Sequence, residues 1–482
     1  MQWKPDRTGK IPIYKQIADY IEQKISSEEF LPGSKLPSER TLASELKVNR
    51  TTIVAAYEEL KSTGIVERKK GSGTHVSMDI WGGESHRRIP NWGKYVEDGS
   101  FLPNSPMTQE IRIGTQKNNF IDLASGELSP HLFPLNHFNN IFSEHSFTEY
   151  LGYSHYQGNE ILRETIASHV KEYKYINTNS SSILVTSGAQ QALHLVVQCL
   201  LKPGDAVAIE DPSYCFSLPL FRSAGLRTFL LPVDKDGINP EDLLDLYKKH
   251  RIRMIFLNPD FQNPTGTVLS KSRRKRVLEL SSTLGIPIIE DDPYTLSNFD
   301  GKINRTLKSM DSNSNVLYIS SLSKIVASGL RIGWIIGPNR VIQRLADAKQ
   351  QIDFGHSIFP QWASNEFLNS THFSKHLSRV RKELKLQRDE LTKSLNEILN
   401  EQIEFSVPDG GIHLWCKLNN SINEQVLLKE AVKREVAFVP GKLLGSQEGY
   451  VRFTFGRARK EIIREGVLRF ADALKSTKVK SR

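Results

Sequence analysis

Cysteine is scarce. Cys199, Cys215 and Cys416 lie far apart in the 482 residues, with no C-x-x-C pair. They frame neither a disulfide scaffold nor a zinc site, and as small buried hydrophobes they suit a reducing cytosol. Long apolar runs are also missing. No stretch approaches the roughly 18 apolar residues of a membrane-spanning helix. Met1-Gln2-Trp3-Lys4-Pro5-Asp6 lacks the apolar core of a signal peptide. The expectation is a cytoplasmic protein with no membrane contact. The histidines show no spacing that would hold a metal, and none is expected. Nor is charge concentrated: the net formal charge is +10, but the first 78 residues hold 13 basic against 10 acidic side chains. A nucleic-acid partner must therefore be argued from pattern, not bulk charge. The apolar content of 38%, with 24% charged, is that of a folded globular chain. Its length holds about three structural units.

Residues 11–78 form a compact periodic block. Ile13, Ile17, Ile21 and Ile25 recur at helical spacing. After the turn Leu31-Pro32-Gly33, Ser38 caps a second helix, with Leu42, Ala43 and Leu46 on its apolar face. Asn49 caps a third, buried through Ile53, Ala56, Tyr57 and Leu60 and stopped by Thr63-Gly64. Ile65–Arg68 and Thr74–Val76 read as strands joined by the basic hairpin Lys69-Lys70-Gly71-Ser72-Gly73. Two short helices and a basic hairpin make an α+β winged helix-turn-helix. Its reading helix presents Asn49, Arg50, Thr51 and Thr52 to a major groove. Lys69 and Lys70 would meet the phosphate backbone. The block resembles the GntR-type DNA-binding domain, through Pro12–Ile17, Leu31–Arg40, Leu46–Thr52 and Ala56–Leu60. That resemblance implies DNA contacts from Ser38, Arg40, Arg50, Thr51 and Thr52, with Gly71 at the wing tip. Asn49 stands where the family commonly has Ser.

Residues 79–120 read as an irregular linker, rich in Gly, Pro and Asn, with Trp81, Trp92, Tyr95, Phe101 and Leu102 able to dock on a surface. From about 121 to 475, short apolar runs alternate with helical segments: Ser182–Thr186, Ala206–Ile209, Met254–Leu257, Ile286–Ile289 and Val316–Ile319. That alternation predicts an α/β domain on a mostly parallel sheet. The basic tail from Lys475 is expected to fray.

Chemistry gathers at the strand ends. Lys324 follows a buried run among small polar residues, with Arg331 seven positions on. Desolvation there would lower a lysine's pKa and ready it for a Schiff base, with the arginine clamping a phosphate. Ser187–Leu193 opens a helix after a strand and offers backbone amides to a phosphate. Asn263-Pro264-Thr265-Gly266 follows another strand. Glu290-Asp291-Asp292-Pro293-Tyr294 follows a third, and a carboxylate there can hold a protonated pyridine nitrogen. Arg452 lies among apolar residues, where it needs an anionic partner.

Together these segments resemble a fold-type I aminotransferase dependent on pyridoxal phosphate, with a smaller C-terminal α+β domain from about residue 345. The resemblance implies that Lys324 forms the internal aldimine and that Asp291 pairs with the pyridine nitrogen. Asn263 and Tyr294 bond the phenolic oxygen, and Tyr214 stacks on the ring. Ala189, Gln190, Ser321, Ser323 and Arg331 hold the phosphate, joined by Tyr153 from a partner subunit. Arg452 holds a substrate carboxylate, near Gly126 and Gly410-Gly411. Ser328 replaces a proline often found before Gly329, which is expected to loosen that loop.

A GntR-type reader joined to such a domain resembles the MocR/GabR regulators. That resemblance implies a head-to-tail homodimer, a double-stranded DNA operator and a small amino compound with a carboxylate as effector. A working aminotransferase carrying a DNA-binding domain is the alternative.

Overall fold

The computed structural model describes residues 3–7, 9, 11–27, 29–69, 71–78, 92–117, 119–153, 155–419, 422–445 and 447–480. Lys70 and Trp81 lie outside the described residues. The chain divides into two compact units, 1–100 and 101–482.

The first unit holds helices α1 (Ile13–Ser26), α2 (Glu39–Leu46) and α3 (Arg50–Ser62) and the hairpin β1 (Val66–Lys69) and β2 (Gly73–Val76). Its core is the periodic set read from the sequence: Ile17, Ile21 and Ile25 pack with Leu42, Leu46, Ile53, Ala56, Tyr57 and Leu60. Both expected caps form. Ser38 Oγ accepts from the Thr41 amide, and Asn49 Oδ1 from the Thr51 amide. The stretch expected to be irregular instead contains helix α4 (Trp92–Asp98).

In the second unit, the latter part of the expected linker is built into the fold. The Phe101 ring stacks on His194, and the Leu102 amide donates to Ser223 Oγ. Helix α5 (Pro106–Thr115) packs through Met107 and Ile111 on the C-terminal core. Then come β3 (Ile121–Asp122), α6 (Leu135–Glu144), α7 (Glu160–Lys174), β4 (Ile183–Thr186) and α8 (Ala189–Leu200). The strands β5 (Ala206–Asp211), β6 (Arg227–Asp234), β7 (Gly237–Ile238), β8 (Met254–Leu257), β9 (Ile288–Asp291), β10 (Val316–Ser321) and β11 (Gly333–Ile336) complete an eight-stranded sheet of order β4-β11-β10-β9-β8-β5-β6-β7. Strands β6, β5, β8, β9 and β10 are parallel, and β11 is inserted antiparallel between β10 and β4. Both faces are covered, as near-continuous apolar strands require. Ile183, Val185, Tyr318 and Trp334 pack on one face, while Leu184, Leu317, Ile319 and Ile335 pack on the other.

A second sheet, β12 (Ile403–Phe405), β13 (His413–Leu418), β15 (Val439–Pro440) and β16 (Tyr450–Thr454), runs in the order β12-β13-β16-β15, while β14 (Val436–Ala437) pairs with β3. This smaller domain does not begin near 345. The long helix His372–Leu399 starts on the large sheet, through Phe373 and Leu377, and changes cores at Val380 and Leu384. The early segment Ile121, Leu123, Leu128 and Leu132 belongs to that same second core. The tail expected to fray is instead helical through Lys480, with Thr477 buried.

Candidate functional site

Parallel sheets expose their strand ends as ligand crevices, and the segments after β4, β5, β8, β9 and β10 converge here on one cleft of about 240 Å³. Lys324 lies three residues past β10, and its ammonium donates to the Gly126 carbonyl. Burial, together with the positive charge of Arg452, lowers its pKa to about 8.

Asp291 ends β9 facing it. The strand begins two residues later than the sequence suggests, so Glu290 and Asp291 close it rather than follow it. Asp291 Oδ2 accepts from the Tyr214 hydroxyl, while Oδ1 is buried with no hydrogen-bond partner. Burial raises this carboxyl to about 6; the Asp292 charge adds to the rise, and the Tyr214 bond opposes it. Asn258 fixes the neighbouring loops. Its Nδ2 donates to the Asp291 carbonyl (2.9 Å), and its Oδ1 accepts from the Asn263 amide (2.8 Å).

Arg452, on β16, is buried behind Asn263. Nη1 donates to Asn263 Oδ1 at 3.0 Å and Nη2 to the Ala124 carbonyl at 2.6 Å, while Nε has no partner. Among the described residues no carboxylate pairs with it, and burial lowers its pKa to about 10. The sequence reading missed His413, whose Nδ1 lies 3.0 Å from Thr454 Oγ1 and whose Nε2 lies 3.0 Å from the Tyr294 hydroxyl. Thr454 spends its proton on the Ala124 carbonyl. His413 Nδ1 therefore carries the hydrogen, and Nε2 accepts from Tyr294. Burial and the charges of Arg452 and Lys324 hold this imidazole neutral. Its one sequence signal is its place two residues after Gly410-Gly411, glycines packed closely on Phe261.

The other end of the cleft is built for an anion. Helix α8 starts directly after Gly188, which has φ +78° and no side chain to cap the helix. The first-turn residues Ala189 and Gln190 line the cleft with Ser321, Ser323 and Arg331. A Cβ on Gly188 would meet Arg331 Nη2 at 2.7 Å, so the guanidinium reaches this place only across a glycine. Gly333 is similarly confined: its Cβ would lie 2.7 Å from the Gly188 carbonyl carbon and 3.0 Å from the Ala189 nitrogen. These are backbone atoms and cannot swing aside. Gly333→Ala is expected to cost about 1–3 kcal/mol and to displace the start of α8. Urea unfolding, with cofactor affinity measured in parallel, checks it.

Ser328 does not loosen its loop. Its hydroxyl donates to Glu127 Oε2 at 2.6 Å, and Glu127 faces Arg457 at 3.5 Å. Tyr153 is not brought to the cleft; it is 86% exposed, with its ring beside Phe354.

In the first unit, Ser38, Arg40, Asn49, Arg50, Thr51 and Lys69 are exposed and Thr52 is half-buried; Gly71 turns the hairpin at φ +82°. Glu39, 12% exposed, pairs with Arg50 of α3 at 2.8 Å and with Arg68 of β1 at 2.5 Å, while Lys69 pairs with Glu67. Glu39→Gln frees Arg50, while Arg68 keeps Glu58 at 3.6 Å, and is expected to raise affinity for a random duplex severalfold at low salt. Fluorescence anisotropy would show it, and unchanged affinity would mean that the pairs are idle.

Residues 118–467 match the family described as aminotransferase class I and II, and residues 13–76 match bacterial regulatory proteins of the gntR family. The chain belongs to the MocR-type regulators. This regulator is 38% identical over 461 residues to the uncharacterized HTH-type transcriptional regulator YdfD of Bacillus subtilis (strain 168), covering 95% of each chain. It is 31% identical over 439 residues to the HTH-type transcriptional regulator NorG of Staphylococcus aureus (strain USA300), covering 90% of this chain and 98% of NorG. Among solved structures it resembles Pyrococcus horikoshii kynurenine aminotransferase in complex with PMP, with a TM-score of 0.74 and 29% identity, over 82% of this chain and 98% of the enzyme.

Proposed function

We propose that this transcriptional regulator holds pyridoxal 5'-phosphate in the cleft and uses it to sense an amino compound bearing a carboxylate, with operator binding as the output. The observation that carries the reading is the buried, unpartnered Oδ1 of Asp291 in the same cleft as Lys324. A buried carboxylate oxygen without a donor is costly, and a protonated pyridine nitrogen supplies that donor. The α8 amides, Arg331, Ser321 and Ser323 fit the phosphate. When bound, pyridoxal phosphate supplies an aldehyde that condenses with amines and a ring that withdraws electrons from the attached carbon.

The chain's own groups do the rest. Lys324 supplies the amine that holds the aldehyde carbon. Asp291 keeps the ring nitrogen protonated, with Tyr214 steadying the carboxylate. Asn263 would serve the phenolic oxygen, joined by Tyr294 if its hydroxyl turns from His413, and Arg452 would take the effector's carboxylate beside Gly126. The regulator is a homodimer in this reading. Phe142 and Phe359 stay 58% and 49% exposed around the Phe147–Trp362 pair, an apolar surface that suits a second copy, and the exposed Tyr153 would reach that copy's cleft.

Only the neutral amine of Lys324 reacts. A pKa of about 8 leaves roughly a tenth of it neutral at pH 7, against less than about a thousandth for an ordinary lysine. The rate at which the apoprotein takes up the cofactor is expected to climb about tenfold from pH 7 and to level off above pH 8 to 9. A stopped-flow profile still climbing at pH 10 would sink this.

The deciding experiment is the visible spectrum of the purified protein before and after borohydride, with the label mapped by peptide mass. A band fixed onto Lys324 supports the reading. A protein colourless with added pyridoxal phosphate refutes it. The full set of polar groups also equips the cleft for transamination, and steady-state turnover with a keto acid separates the working enzyme from the sensor.

A further inference from the structure

A second cleft, of about 380 Å³, lies between the segment 130–137 and the start of the long helix His372–Leu399. Its ionisable side chains are all basic or imidazole, His131, His137, Lys375, His376 and Arg379, set among Pro130, Phe133, Pro134, Leu135 and Asn136. No carboxylate lines it; Glu383 and Glu461 act on His131 from outside. Neither Lys375 nor Arg379 forms an ion pair among the described residues. Arg379 spends two donors on the carbonyls of His131 and Leu132, leaving the rest of the fork unassigned. Helix α6 opens here after Pro134 with no side-chain cap, and its first turn, Leu135, Asn136 and His137, borders the cleft. The amides of Leu135 and His137 donate to the carbonyls of Phe133 and Pro134, so this end adds only the partial positive charge of the helix dipole.

His376 narrows the chemistry. The residue is 3% exposed, and its Nε2 lies 2.7 Å from the Ile325 carbonyl. A carbonyl only accepts, so Nε2 carries the hydrogen. Nδ1 of the neutral ring is then an acceptor, and it is buried with no partner. Burial and the charge of Arg379 keep the ring neutral. A positively lined cleft thus contains one residue that wants a donor. A fully ionised anion satisfies the cations and repels that acceptor. An anion that still carries a proton satisfies both.

We propose that this cleft is a second ligand site, for a small oxyanion bearing one acidic proton, either inorganic phosphate or a phosphate monoester. Lys375 and Arg379 take the charged oxygens, and His376 Nδ1 accepts the P–O–H hydrogen. Sulfate, matched in shape and charge but without a proton at neutral pH, is discriminated against. The site stands apart from the main cleft and does not depend on its cofactor, though His376 reaches the peptide next to Lys324 through the Ile325 carbonyl.

The test is titration calorimetry of the full chain, carrying one equivalent of pyridoxal phosphate and freed of any excess, using inorganic phosphate, glycerol phosphate and sulfate at matched ionic strength. Phosphate or its monoester is expected to bind about tenfold or more tightly than sulfate. Preference for glycerol phosphate identifies a monoester, and preference for the free ion identifies phosphate itself. His376→Phe keeps a ring of similar size and removes the Nδ1 acceptor together with the bond to the Ile325 carbonyl, so phosphate should fall to the level of sulfate. Lys375→Gln, at an exposed position that does not threaten folding, should weaken phosphate about tenfold. Equal binding of sulfate and phosphate, no binding, or an unaltered Lys375→Gln each overturns the proposal.

Discussion

Lys324→Ala should leave operator binding without effector within about twofold of the unsubstituted chain and abolish the response to the effector. The reader folds on a core of its own, from Ile17 to Val76, in a unit separate from Lys324. Nothing in that core depends on the lysine. In the cleft, the substitution removes the amine with which an incoming amino compound competes. It also removes a cation that burial and Arg452 already disfavour, so the second unit keeps its fold. Operator-fragment anisotropy, with and without a panel of amino acids, reads both halves of the expectation. The borohydride-fixed band disappears in the same variant. A Lys324→Ala protein that still released or tightened on DNA with the unsubstituted dose response would mean that the signal does not pass through this residue.

Arg452→Gln should separate stability from sensing. The guanidinium is buried with no ion pair among the described residues and with Nε unpartnered. An uncompensated buried charge destabilises a fold by several kcal/mol in isolation, and hydrogen bonds to Asn263 and Ala124 offset only part of that. Glutamine keeps one donor for Asn263, and Thr454 still serves the Ala124 carbonyl. Thermal unfolding of the unliganded variant is therefore expected to match or exceed that of the parent. Effector binding should move the other way. Losing a charged pair in a desolvated site costs about 3–5 kcal/mol, so affinity for a carboxylate-bearing amine should fall by a factor of about 100 or more. The matching amine without its carboxylate should bind both proteins alike. Equal losses for both compounds would assign Arg452 a scaffold role instead.

Much of this architecture was legible because period and punctuation agreed. The Ile13 to Ile25 spacing, the Ser38 and Asn49 caps and the apolar runs at 183, 206, 254 and 316 each specify an element through local physics. The motifs at Lys324, Asp291, Asn263 and Ala189 were legible because each lies at or just past the end of a buried strand, and parallel sheets bring such ends together. Two things were not. The change of core along His372–Leu399 leaves no local mark, because one continuous amphipathic helix serves two cores in turn. His413 reads as a solitary histidine in a strand until the fold sets Tyr294 and Thr454 on either side.

Glu39 has a consequence for how the reader chooses DNA. Its carboxylate already occupies Arg50 and Arg68, so an Arg50 that reads DNA as proposed would meet it as an exchange rather than as an unoccupied charge. A lone phosphate would merely swap one oxygen for another and leave little net attraction. A guanine edge, with two acceptors for one guanidinium, would displace the internal rival. Under that proposal the domain would carry its own calibration standard, and indifferent sequence would be discounted before the regulator settles.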